Sequence, residues 1–262
     1  PSPFGRGQGE GALFWLSTFL TGPRMLPDRL AALLSRRDIH YGWVMVAVTF
    51  LTALVSAGAV GAPGGFSVPR QQEFGWSPAE ISSALSIRFI LFGLMAPFAA
   101  ALMNRYGLRN IALAGQLLIG SSLIASITMT QVWQLIALWG VAVGIGTGLT
   151  ALVLGATVAA RWFSERRGLV VGILTASVAT GQLLFLPVLA SLTERFGWRI
   201  ALLLLCAALA VAACAVLLLM RDRPSDLGLR AYGERGDLPP AAVPTPHGPI
   251  TSAALGALRD AS

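Results

Sequence analysis

The chain has 262 residues, of which 55% are hydrophobic and only 12% charged. A typical soluble domain carries about twice that share of charge, so the composition argues against a soluble enzyme and against a disordered chain. The net charge of +7 comes from 19 arginines and no lysine, set mostly between apolar runs, which reads as membrane topology and not as a nucleic-acid-binding face.

In chain order, residues 1–40 form a cytoplasmic N-terminal segment. Its apolar stretch Gly11–Leu20 is too short to span a bilayer and has no small-residue cleavage site after it, so no signal peptide is expected. Met25 is the expected native start, with the first 24 residues outside the natural protein.

A bilayer-crossing helix needs roughly 20 mostly apolar residues. Six segments supply them: Tyr41–Val68, Ala79–Met103, Asn110–Thr128, Val132–Ala160, Gly168–Leu192 and Ile200–Met220. The links between them are short, which makes neighbouring helices antiparallel. The expected fold is all-α, an integral membrane six-helix bundle over residues 41–220. Alternate links collect arginine: Arg24, Arg29, Arg36 and Arg37, then Arg105 and Arg109, then Arg161, Arg166 and Arg167, then Arg221, Arg223 and Arg230. The opposite links hold only Arg70, Arg195 and Arg199. The positive-inside rule therefore places the Arg-rich links and both termini in the cytoplasm, in a multi-pass protein of the cell (inner) membrane. Residues 221–262 follow as a cytoplasmic linker, flexible by its polar, Pro-rich composition and ending in a short amphipathic helix, Thr251–Asp260.

Polar residues inside spans are costly and point to function or to pairing. Arg88 is the only charged residue deep inside a span, where an arginine costs about 2.5–3.5 kcal/mol on insertion scales. Its guanidinium could grip a carboxylate through two parallel hydrogen bonds; the competing reading is that it snorkels outward or bonds backbone carbonyls. Gln182 in the fifth span offers both a donor and an acceptor to a solute, or to a neighbouring helix. Pro63, Gly64 and Gly65 suggest a locally irregular helix end beside a cavity. In the fourth span Gly140, Gly144 and Gly148 recur every fourth residue, a spacing that lets two helix backbones approach closely, and Gly172 and Gly181 in the fifth read the same way. Cys206 and Cys214 lie in one apolar run and read as packing. His40 and His247 have no ligand cluster around them, so neither metal nor cofactor is expected.

Two stretches carry a family resemblance. Asn104-Arg-Tyr-Gly-Leu-Arg109 resembles the cytoplasmic loop of the major facilitator superfamily, roughly G-x-x-x-D-R-x-G-R-R: Arg105, Gly107 and Arg109 match, while Ala100 and Asn104 replace the first Gly and the acid. Asn104 instead fits the Asn-Arg-x-Gly-x-Arg of the monocarboxylate porter / oxalate-formate antiporter-like branch. Arg161 to Gly181 is similar to the signature of that branch, with Trp162, Phe163, Arg166, Arg167, Gly172, Ala176 and Gly181 at its positions. The loop Phe74-Gly-Trp-Ser-Pro-Ala-Glu, the run Phe196-Gly-Trp-Arg199 and Arg223-Pro-Ser-Asp-Leu-Gly228 extend the similarity over about residues 41–228. Two departures limit what carries over. The branch commonly binds substrate with a Lys on the first helix, whose place falls near Gly64, and the Arg common on the fourth helix of proton-linked members is here Gly140.

The resemblance implies the N-terminal half of a twelve-helix transporter, moving a small solute, an organic anion such as a monocarboxylate, by alternating access through the lipid bilayer. Its partner would be a C-terminal six-helix half, absent from this chain, or a second half-protein; protons are a candidate driver, and no nucleic acid is expected. Arg88, Gln182 and Gly64 are the candidate substrate contacts, and Asn104, Arg105, Gly107, Arg109, Arg166 and Arg167 the candidate cytoplasmic gate. The alternative is a transport-inactive half-protein that serves as a membrane partner or structural module. No nucleophile–base constellation, P-loop or dinucleotide fingerprint speaks for an enzyme.

Overall fold

The computed structural model describes residues 39–74 and 76–234, with the single positions 27, 30, 31 and 33; for 62–74 and 152 it describes the backbone only. Six long helices follow one another: α1 Gly42–Phe74, α2 Pro78–Tyr106, α3 Leu108–Ala125, α4 Val132–Trp162, α5 Arg167–Phe196 and α6 Trp198–Leu219. Each is long and apolar enough to cross a membrane. Among the described residues the one strand-like feature is an isolated bridge between Phe163 and Tyr232.

Local chemistry explains the helix ends. α2 starts on a capping box in which the Ser77 hydroxyl accepts from the Glu80 N–H at 3.3 Å and the Glu80 carboxylate accepts from the Ser77 N–H at 2.8 Å. Single glycines turn the chain between α2 and α3 (Gly107, φ 90°) and between α5 and α6 (Gly197, φ 86°), a backbone region open to glycine and little else. Both turns read Arg-aromatic-Gly-x-Arg, at Arg105–Arg109 and Arg195–Arg199. Three helices apart, they fall at opposite ends of the bundle, the relation expected of inverted three-helix repeats.

α1 packs chiefly on α5 and α6, α2 on α4, and α3 on α4 and α6. The core divides into two apolar halves. One, towards Trp76, joins Trp139, Leu123, Leu189 and Trp198. The other, towards the Arg-rich end, joins Tyr41, Met103, Leu108, Trp162 and Phe163. Between them lies a buried polar belt of Thr49, Thr52, Ser56, Gln116, Thr147 and Thr150 from α1, α3 and α4.

Three expectations need correction. α1 stays helical through Pro63, Gly64 and Gly65 to Phe74, so no irregular end falls there. α4 is not one continuous helix: a π-helical stretch occupies Ile136–Ala142, and the helix breaks at Ala151 (φ −84°, ψ −135°) before resuming at Leu152. The segment after α6 is not a free tether up to Glu234. The Tyr232 N–H donates to the Trp162 carbonyl at 2.8 Å, and its carbonyl accepts from the N–H groups of Ser164 and Glu165 at 2.9 and 3.1 Å. The Tyr232 ring packs among His40, Trp43 and Phe163, and His40 Nε2 lies 2.9 Å from the Arg230 carbonyl. The expected amphipathic helix at 251–260 lies outside the described residues.

Candidate functional site

Small residues on α4 bring the backbones of α2 and α4 together. A Cβ on Gly140 would stand 3.2 Å from the Ala84 carbonyl, one on Gly144 3.1 Å from the Arg88 carbonyl, and one on Gly148 2.6 Å from the Met95 Cβ. A neighbouring stripe seats Gly146 against α3, where a Cβ would stand 2.6 Å from Ile119 Cγ1 and 3.0 Å from the Gly115 carbonyl. Gly181 places α5 against the Leu54 carbonyl of α1, where a Cβ would clash. Gly172, chosen for the same reason, has open space around it within this chain.

This packing leaves a cavity of about 400 Å³ between α1, α2, α4 and α5. Its wall is mostly apolar, with Ala53, Ala57, Val60, Phe89, Phe92, Ala151, Val178 and Ala179, and its polar groups are Ser56, Arg88, Thr147, Thr175 and Gln182. Arg88 and Gln182 thus share one cavity although they come from different helices. Arg88 is only 4% exposed; its Nη1 has no hydrogen-bond partner among the described residues, and its Cζ lies 4.9 Å from the centre of the Phe89 ring. Gly64 stands eight residues beyond Ser56 on α1, and its surroundings lie outside the described residues.

Ser56 joins the cavity to the polar belt. Its Oγ lies 3.1 Å from the Thr150 hydroxyl and accepts from Gln116 Nε2 at 3.4 Å; the same amide donates to the Thr52 carbonyl at 3.2 Å. Gln116 Oε1 is buried without a partner among the described residues. The Thr147 hydroxyl donates to its own helix, to the Val143 carbonyl at 2.7 Å, which leaves its oxygen lone pairs as acceptors.

The Arg-rich end carries a second cluster. The Arg161 guanidinium donates to Asn104 Oδ1 at 2.7 Å, to the Met103 carbonyl at 3.4 Å and to the Asp222 carbonyl at 3.3 Å. The Asp222 carboxylate sits over Gly107, where any Cβ would fall 2.8 Å from it, and accepts from the Arg109 N–H at 3.0 Å. It thereby supplies the opening turn of α3 with the negative group that its glycine cap lacks. Asn104, Gly107 and Arg109 are brought together here. Arg105 lies outward over Tyr106, Arg166 takes a left-handed conformation (φ 60°) before α5, and Arg167 donates to the Phe163 and Ala160 carbonyls. Two members were missed from sequence: Arg161, weighed only as a topology signal, and Asp222. The available signal was an acid set between Arg221 and Arg223 at the close of the last span.

Taken together, six membrane-length helices, repeated turns at opposite ends and an internal cavity with a buried cation define a multi-pass helical bundle. Residues 40–260 match the Major Facilitator Superfamily, and the chain belongs to that family of transporters, not to a class of enzymes. It is 30% identical over 191 residues to human monocarboxylate transporter 11 (72% of this chain, 40% of that protein). It is 28% identical over 184 residues to mouse monocarboxylate transporter 9 (69% and 36%), and 27% identical over 166 residues to human monocarboxylate transporter 7 (63% and 32%). The chain therefore spans about a third to two-fifths of the length of these relatives.

Proposed function

We propose that the chain is the N-terminal half of a secondary active transporter that moves a small organic anion, a monocarboxylate by the closest fit, by alternating access. The observation that carries this reading is Arg88: a buried cation with an unpartnered donor, in the wall of a largely apolar cavity. An apolar wall suits a short hydrocarbon chain, and a guanidinium suits the carboxylate at its end. The relatives' names point to the same class of solute. A second six-helix bundle would close the cavity against α2 and α5, whose flanking residues Phe89, Ile90, Leu183 and Leu184 are exposed in this chain. The Arg-rich cluster would form part of the cytoplasmic gate, with both termini on that side of the cell membrane; protons are the candidate coupling ion.

The test is uptake of labelled pyruvate, acetate and benzoate by the full-length protein in liposomes, at two pH values, with lactate and its neutral amide as competitors. Saturable uptake that lactate blocks and lactamide does not is the expected result. Arg88→Gln should weaken it ~10–100-fold, the usual cost of losing a hydrogen bond to a charged group, with membrane insertion unchanged. No saturable uptake of any carboxylate would overturn the reading; parent kinetics in Arg88→Gln would remove Arg88 from the site.

A further inference from the structure

The break in α4 falls inside the bundle, at the wall of the cavity. The first part ends at Thr150 and the second begins at Leu152, with Ala151 between them outside helical geometry. A helix cannot satisfy the N–H groups of its own first turn, and those groups carry the positive end of its dipole. The N-cap residue here, Ala151, has no side-chain group to cap them. The N–H groups of Leu154 and Gly155 return to the Ala151 carbonyl at 3.1 and 3.5 Å, while helix geometry gives those of Leu152 and Val153 no acceptor within the helix.

Ala151 lines the same cavity as Arg88, whose Nη1 has no partner among the described residues. No acidic residue is among those lining that cavity. Thr150, the last residue before the break, has its hydroxyl between the Gly146 carbonyl (3.0 Å) and Ser56 Oγ (3.1 Å), which ties the break to α1. On the opposite side Gly144 seats α4 against the Arg88 backbone. Ala151, the residue just before the helix resumes, and Arg88 therefore line one cavity, on helices packed directly against each other.

We infer that the cavity is a two-sided anion subsite, in which a carboxylate is held by Arg88 and by the N–H groups that open the second part of α4, at Leu152 and Val153. This rests on the organic-anion reading above. The backbone supplies fixed donors that require no reorganisation, and the arginine supplies the full charge. The same carboxylate thereby bridges α2 to the distal part of α4, so binding reports on the break itself.

The test removes one N–H and keeps the side chain. In the full-length protein Leu152 is replaced by its α-hydroxy analogue, which puts an ester in place of the amide; Leu152→Pro, compatible with a first helical turn, and Leu152→Ala, which retains the N–H, accompany it. Labelled pyruvate uptake is read alongside the amount of protein in the membrane. The ester is expected to raise KM ~10-fold, a charged hydrogen bond's worth, with Leu152→Ala within twofold of the parent and Leu152→Pro following the ester. An unchanged KM in the ester variant overturns the helix-end subsite while leaving Arg88 and the transport reading intact. Absence of pyruvate uptake in the parent overturns both. If Leu152→Pro fails to reach the membrane, the ester alone decides.

Discussion

At the scale of single residues, the polar belt shows how lipid surroundings change the value of a hydroxyl. Ser56 takes the Gln116 amide and meets the Thr150 hydroxyl while also lining the cavity. Replacing it by alanine leaves Gln116 Nε2 only the Thr52 carbonyl and takes one polar group from the cavity wall. Ser56→Ala should cost about 1 kcal/mol of stability, seen as a lower unfolding midpoint in detergent, and should raise KM for the anion. A midpoint equal to the parent's would mean that water replaces the hydroxyl there. Polarity within an apolar run is readable from sequence, which is why Arg88 and Gln182 both stand out. That they share one cavity is a matter of how α2 and α5 are rotated against α1, and no local pattern encodes it. Of the Asn104–Arg161–Asp222 cluster only Asn104 was singled out, by its place in a motif; Arg161 lies 57 residues from Asn104 and 61 from Asp222, and no local pattern joins the three.

At the scale of helices, spans and turns were legible because lipid demands about 20 apolar residues and a positive-φ turn demands glycine. The glycine stripes were legible as packing surfaces, but not which helix each one meets. The breaks in α4 were hidden, since Ala151 and Leu152 are good helix formers and nothing nearby marks a stop. What singles out this stretch is tertiary: α4 presents Gly140, Gly144 and Gly148 to α2, Gly146 to α3 and Thr150 to α1, and the π-helical stretch and the break lie at the two ends of this run of contacts. Two glycines on α5 separate packing from mere spacing. A Cβ at Gly181 clashes with the Leu54 carbonyl, a backbone atom that can yield only if α1 moves, whereas a Cβ at Gly172 meets nothing. Gly181→Ala should lower stability by about 1–3 kcal/mol, and Gly172→Ala should leave it equal or slightly higher, because alanine is the better helix former. Detergent unfolding of the two variants checks this. A loss of uptake in Gly172→Ala with stability preserved would assign that face to contact with the second half.

At the scale of the whole molecule, the bundle is well packed on one side and open on the other. α1, α3, α4 and α6 carry most of the belt and of both apolar cores, while Thr175, Ala179 and Gln182 of α5 are exposed beside the cavity. In a bilayer that open side would set Gln182 and the cavity beside Arg88 against hydrocarbon, which offers no hydrogen bonds. The segment after α6 is clasped through Tyr232 to the α4–α5 turn. Expressed by itself, the chain should therefore insert and yet give no saturable pyruvate flux in liposomes. Co-expressed with a separately encoded remainder of the full-length protein, it should be recovered as a complex, with uptake restored. Flux from residues 1–262 alone would show that six helices suffice to alternate access, and the open face would then have to close on a second copy of itself, which cross-linking through a cysteine placed at Leu183 would reveal.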